Sequence, residues 1–211
     1  MPLEEVIDHI KNGEMIVVFD GDEREGEADL IFGARFTTPD RIEILRREAG
    51  GLICVALSKE DADKLKLPFY TELIEKNKNI KELSCDKTAY GDRPAFSVSV
   101  NHRKVFTGIT DDDRALTITK LDQVLEKDGY FTKEFYSPGH VFLLISSGIE
   151  KRKGHTELAM EIGRRSEQKA MVLCEMLGSG SALSKERAKR YAERNGLLFI
   201  EGKEILEGIK R

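Results

Sequence analysis

Short apolar runs recur along the chain as MIVVF, ADLIFGA, LICVAL, AFSVSV, VFLLIS, MVLCEM and LLFIEG, and most are separated by stretches with helical spacing. Runs of this length suit strands, and an unbroken one such as LICVAL suits a strand buried on both faces. Some runs follow each other closely enough to form hairpins, while others alternate with helices. That mixture points to an α+β fold in which helices cover a mixed β-sheet in three layers.

The helix signals agree with that frame. Pro2 stands in the first turn of a helix that Gly13 ends. Pro39 opens a helix closing at Gly50 and Gly51, and Ser58 caps a short helix that Pro68 terminates. Thr110 caps a helix beginning DDDRAL, GHTELAMEIGRRS is helical, and the last capped helix runs from Ser184 to Gly196. Residues 69–94 have weak periodicity and read as a surface excursion rather than a domain linker. There is no internal repeat, so residues 1–211 are expected to form a single domain.

With 40% hydrophobic residues the chain can bury one substantial core. A charged fraction of 34% and a net charge of -4 argue against general attraction to nucleic acid or to an anionic membrane. A small anionic substrate then needs a local basic or metal site. The start, MPLEEVIDHIKNG, lacks the apolar core of a signal peptide, and no run approaches membrane-spanning length, so a cytoplasmic location is expected. Cys54, Cys85 and Cys174 show no CxxC pairing and are expected to be reduced thiols. The basic stretch SKERAKRYAERNG reads as a solvated helix face rather than a contact for RNA or phosphate.

The chemistry concentrates in a few places. DGDEREGEAD sets Asp20, Asp22, Glu23, Glu25, Glu27 and Asp29 around Arg24. Such a cluster either spreads into water or gathers around a hard divalent cation, and composition alone favours the solvated loop. It is not an EF-hand, because Arg24, Glu25 and Ile31 fall at the fifth, sixth and twelfth places. Magnesium, which needs only one or two carboxylates, suits it better. RKGHTE places His155 at a helix start where anions are attracted, PGH carries His140, and CEM carries Glu175.

In order, DEREGEADLIF, RREAGGLICVAL, FSVSV, TGITDDDRALTI, PGHVFLL, RKGHTE and LCEM resemble the 3,4-dihydroxy-2-butanone 4-phosphate synthase family. The resemblance covers residues 1 to about 200. It implies a lyase that converts D-ribulose 5-phosphate to L-3,4-dihydroxy-2-butanone 4-phosphate plus formate in riboflavin biosynthesis, through a metal-stabilised enediolate and a skeletal rearrangement. It further implies a homodimer with shared active sites and two Mg2+ ions per site, with Mn2+ as an alternative. Carried over by motif, Glu25 and His155 hold metal, and His140 and Glu175 are catalytic. Substrate contacts fall to Arg24, Glu25, Asp29, Thr110, Arg152, Lys153, Gly154, His155, Thr156 and Glu175. Two departures stand out: REGEAD, where Asn often follows Arg-Glu, so that Gly26 is expected to loosen the loop, and a short segment between PGH and RKGHTE. A fused cyclohydrolase region is not expected after residue 211. The competing readings are a metal-dependent sugar-phosphate isomerase or lyase and a noncatalytic sugar-phosphate binder.

Overall fold

The computed structural model describes residues 2–127 and 130–210. Its strands are β1 (Ile16–Phe19), β2 (Ala28–Gly33), β3 (Cys54–Leu57), β4 (Phe96–His102), β5 (Phe135–Ile145), β6 (Ala170–Glu175) and β7 (Leu198–Glu201). They form one sheet in the order β4-β5-β3-β6-β2-β1-β7. β1 with β7 and β3 with β5 are parallel, and the other neighbours are antiparallel.

Alternation along the strands sends side chains to two cores. Val17, Phe19, Leu30, Phe32, Val55 and Val172 face one layer of helices: α2 (Pro39–Glu48), α5 (Asp111–Lys127) and α8 (Lys185–Asn195). Ile16, Val18, Ile31, Ala56 and Leu173 face the other: α1 (Leu3–Lys11), α7 (His155–Arg165) and α9 (Gly202–Ile209). Because both faces are covered, the central strands are apolar at consecutive positions. The result is the three-layer α+β arrangement that the sequence implied.

Several local expectations change. α3 (Lys59–Lys64) is capped by Ser58, whose Oγ accepts from the Asp61 N–H at 3.0 Å. It ends before Pro68, however, with the chain leaving through Lys66 at φ +58°. The excursion over 69–94 contains α4 (Tyr70–Lys76) and a short 3-10 turn, Lys81–Leu83, with α6 (Phe131–Glu134) following later. The segment PGH lies inside β5 rather than before it, at register shifts in the β4–β5 ladder that accommodate the proline. The Ser184–Gly196 helix is followed by α9, whose capping residue is Glu201: its N–H donates to Glu204 Oε2 at 2.9 Å. Thr110 caps α5 as expected, its Oγ1 accepting from the Asp113 N–H at 3.1 Å.

Candidate active site

The β1–β2 connection is built on Asp20. Its Oδ1 accepts from the N–H groups of Gly21 at 2.8 Å and Glu27 at 3.1 Å, and its Oδ2 accepts from Glu25 N–H at 3.1 Å. A buried carboxylate thus folds the acidic loop around itself. Gly26 sits at φ +68° with open space around it. The glycine therefore supplies a left-handed turn in the acidic loop.

Three further carboxylates converge beside this loop. Asp29 on β2 lies opposite Glu175 on β6 in antiparallel register, so two acids share one face. Burial, with Glu175 and Glu25 nearby, pushes Asp29 up to about 6, although His155 opposes the shift. Burial, Glu175 and Glu25 push Glu27 up to about 7. Burial also raises Glu175. Carboxyl groups that titrate near neutrality can both give and take protons.

His155 begins α7 and enters the same space. It is only 8% exposed, and its Nε2 has no hydrogen-bond partner although Asp29 Oδ1 stands 3.8 Å away. Burial lowers the affinity of the ring for a proton, but Asp29, Asp20, Glu25 and Glu27 together outweigh that and raise its pKa. Ligand atoms of Asp20, Glu25 and His155 lie within 4.8 Å of one another. An orphaned imidazole nitrogen among hard oxygen donors fits a divalent cation. Asp20 already spends both oxygens on backbone N–H groups, whereas His155 Nε2 has no partner and Glu25 is held only by long guanidinium contacts, which leaves these two as the available donors.

The cationic wall comes from two arginines. Arg152 Nη1 donates to Glu157 Oε2 at 2.6 Å, and its Nη2 reaches Glu25 Oε1 at 3.4 Å. Glu157, fully buried, also accepts from Ser147 N–H at 3.0 Å, so Arg152 is held from behind. Arg24 Nη2 lies 3.6 Å from Glu25 Oε1, with its guanidinium 5.7 Å from the Tyr90 ring centroid. Arg152, Tyr90 and Glu25 border a cavity of about 260 Å3, with Arg24 and Glu157 behind them.

Of the residues expected from sequence, Glu25, Asp29, Arg152, His155, Thr156 and Glu175 line this cavity. Arg24 joins through Glu25, Gly154 is the residue before α7, and Lys153 is exposed beside them. His140 and Thr110 do not line it; they belong to the β4–β5 end of the sheet. His140 N–H donates to Asn101 Oδ1 at 2.9 Å, and its ring Nδ1 is 3.1 Å from Asn101 Nδ2, which in turn donates to Tyr136 Oη at 3.0 Å. The loop leading to Thr110 presses on the same residue, since a Cβ on Gly108 would lie 2.0 Å from Asn101 Nδ2. The expected site is therefore split into two clusters within one chain.

Sequence reasoning left Glu27 among the surplus acids and missed Tyr90, Glu157 and Asn101 as supports of the site. Cys54 lines the cavity, but burial holds its thiol far above the usual range, so it stays protonated. All three cysteines are free, as expected.

A family model described as 3,4-dihydroxy-2-butanone 4-phosphate synthase matches residues 4–208. A curated protein of that name from Methanothermobacter thermautotrophicus is 40% identical, over 97% of this chain and 94% of its own length. A solved 3,4-dihydroxy-2-butanone 4-phosphate synthase in complex with two magnesium ions superposes with a TM-score of 0.83 at 28% identity, covering 100% of this chain and 97% of that one. The Candida albicans enzyme gives 0.78 at 28% identity, covering 100% and 98%. With a buried histidine and acid cluster at the matching motifs and this extent of similarity, the chain belongs to the 3,4-dihydroxy-2-butanone 4-phosphate synthase family.

Proposed function

We propose that this chain converts D-ribulose 5-phosphate to L-3,4-dihydroxy-2-butanone 4-phosphate and formate in the cavity beside the acidic loop, as a lyase of riboflavin biosynthesis. The observation that carries the site assignment is the unpartnered, buried Nε2 of His155, which faces Glu25 and Asp29 across from two arginines. Glu25 and His155 would hold magnesium, two ions per site with manganese the alternative occupant, a reading supported by a solved relative in complex with two magnesium ions. When bound, magnesium supplies Lewis acidity toward the carbonyl and hydroxyl oxygens of the sugar.

The chain's own groups do the rest. Arg152, Lys153, Gly154 and Thr156 receive phosphate through a guanidinium fork, an ammonium, backbone N–H groups and a hydroxyl at a helix start. Arg24 and Asp29 also contact the substrate. Glu27 and Glu175, both raised toward neutrality, exchange protons with carbon and oxygen atoms of the substrate. The acidic loop, hinged on Asp20, closes to exclude water.

His140 and Thr110 serve the site of a partner chain. Their separation from the cavity supports a homodimer with shared sites, as does the exposure of Phe106 (96%) and Ile109 (51%) on the loop leading to Thr110. A mixing experiment tests this. His140→Ala and Glu25→Gln chains, each inactive alone, should regain about a quarter of native activity when co-refolded, because half the dimers then carry one intact site. No recovery would place His140 and Glu25 in the same chain's site. A cytoplasmic location matches this role, and no described helix is long and apolar enough to cross a membrane.

A further inference from the structure

The excursion between α4 and β4 contributes a carboxylate that neither the motifs nor the proposed chemistry uses. Thr88 N–H and Oγ1 both donate to the carbonyl of Asp92, at 2.8 and 2.9 Å, and Gly91 N–H donates to the carbonyl of Thr88 at 2.9 Å. That closed turn holds the Asp92 side chain against the cationic wall. Its Oδ2 lies 2.9 Å from Arg24 Nη2 and 3.3 Å from Arg152 Nε. One oxygen thereby bridges two guanidinium groups brought from separate elements.

The bridge is imperfect in a telling way. The contact to Arg152 Nε is not a well-directed hydrogen bond, and the Nε atoms of both Arg24 and Arg152 are buried with no hydrogen-bond partner. Each fork keeps a buried Nε–H without a hydrogen-bond partner, and only single carboxylate oxygens lie between the two: Asp92 Oδ2 and, at longer range, Glu25 Oε1. A phosphate dianion, with more oxygens and charge, satisfies them better. Without an anion between them the two cations repel, and because Glu25 is the proposed metal ligand, Asp92 is the carboxylate left to hold them together when substrate is away.

We propose that Asp92 is an internal anion that holds Arg24 and Arg152 together in the empty site and is displaced by the substrate's phosphate, which makes it a positioning residue that sets the affinity for phosphate. This rests on the reading that Arg24 and Arg152 meet substrate.

The test is calorimetric titration of inorganic phosphate into the full chain in magnesium-containing buffer. Asp92→Asn and Asp92→Ser should each bind phosphate roughly two- to five-fold tighter than the native chain, the worth of one partly exposed competing ion pair. Asp92→Glu should restore the native value. KM for ribulose 5-phosphate should fall by a similar factor in the Asn and Ser variants without a rise in kcat, a split that a merely structural role would not produce. Unchanged or weaker phosphate binding in both variants overturns the proposal. Arg152→Gln separates the two failures. If it weakens phosphate binding while the Asp92 variants do nothing, only the displacement role fails; if it leaves binding unchanged, the phosphate-site reading fails and the role of Asp92 falls with it.

Discussion

Asp20 and Glu25 stand side by side among the possible metal donors, yet their hydrogen bonds assign them different work, and substitution should separate them. Asp20→Ala removes the acceptor for three loop N–H groups, those of Gly21, Glu25 and Glu27. Hydrogen bonds to a charged acceptor are worth about 1.5–3 kcal/mol each, but these N–H groups can turn to water once the loop opens, so the net loss is closer to 1 kcal/mol each. The variant should therefore lose about 3 kcal/mol and melt roughly 6–12 °C lower. Asp20→Asn keeps the Oδ1 contacts and sets an amide against only the Glu25 N–H, for a loss of about 1 kcal/mol. Magnesium binding, followed by calorimetry, should weaken about fivefold in Asp20→Asn, the equivalent of the roughly 1 kcal/mol that loosening the loop costs. It should vanish in Glu25→Gln, whose fold stays intact. Equal loss of magnesium binding in the two variants would make Asp20 a ligand and refute the division of labour.

Gly139→Ala should be among the most damaging changes, since its Cβ would fall 1.9 Å from the carbonyl carbon of Val100. We expect a loss of about 3 kcal/mol or more in denaturant unfolding, together with displacement of His140. The chelator-treated protein should lose stability as pH rises from 5 to 7.5. Glu27 and Asp29, raised to about 7 and about 6, bind protons in the folded state that the unfolded chain has already released, so folding is favoured below these values and loses that support above them. The raised pKa of His155 acts in the same direction, its contribution fading as pH passes the folded-state value. The two carboxyl shifts amount to about 4 kcal/mol across that range, roughly halved by solvent screening of the part-exposed Glu27, so a drop in Tm of roughly 4–8 °C is expected, and a rise would contradict the assigned shifts.

Much of this was legible in the sequence because it depends on local pattern. The buried strands declared themselves as apolar runs, Thr110 and Ser58 as caps, and Glu25, His155 and Glu175 through ordered motifs. What remained hidden depends on distant pairing. Asp29 and Glu175 become neighbours only through the antiparallel register of β2 and β6, and the burial that comes with that packing is the main cause raising both pKa values, with Glu175 adding to the shift of Asp29. Tyr90 and Asp92 lie in a stretch without periodicity, and only the folded chain sets Asp92 against Arg24, 68 residues away in sequence. The segment PGH reads as lying just before the strand VFLL, yet β5 runs through it past register shifts in the β4–β5 ladder. α9 escaped notice because Glu201, rather than Ser or Thr, caps it.

The most direct measurement is carbon-13 NMR of the purified protein with uniformly labelled ribulose 5-phosphate and magnesium, beside a chelator-treated control. The account predicts labelled formate and a four-carbon phosphate appearing in step, only with metal. A five-carbon isomer without formate would contradict it in favour of an isomerase, and unchanged substrate in folded, magnesium-loaded protein would leave only a binder.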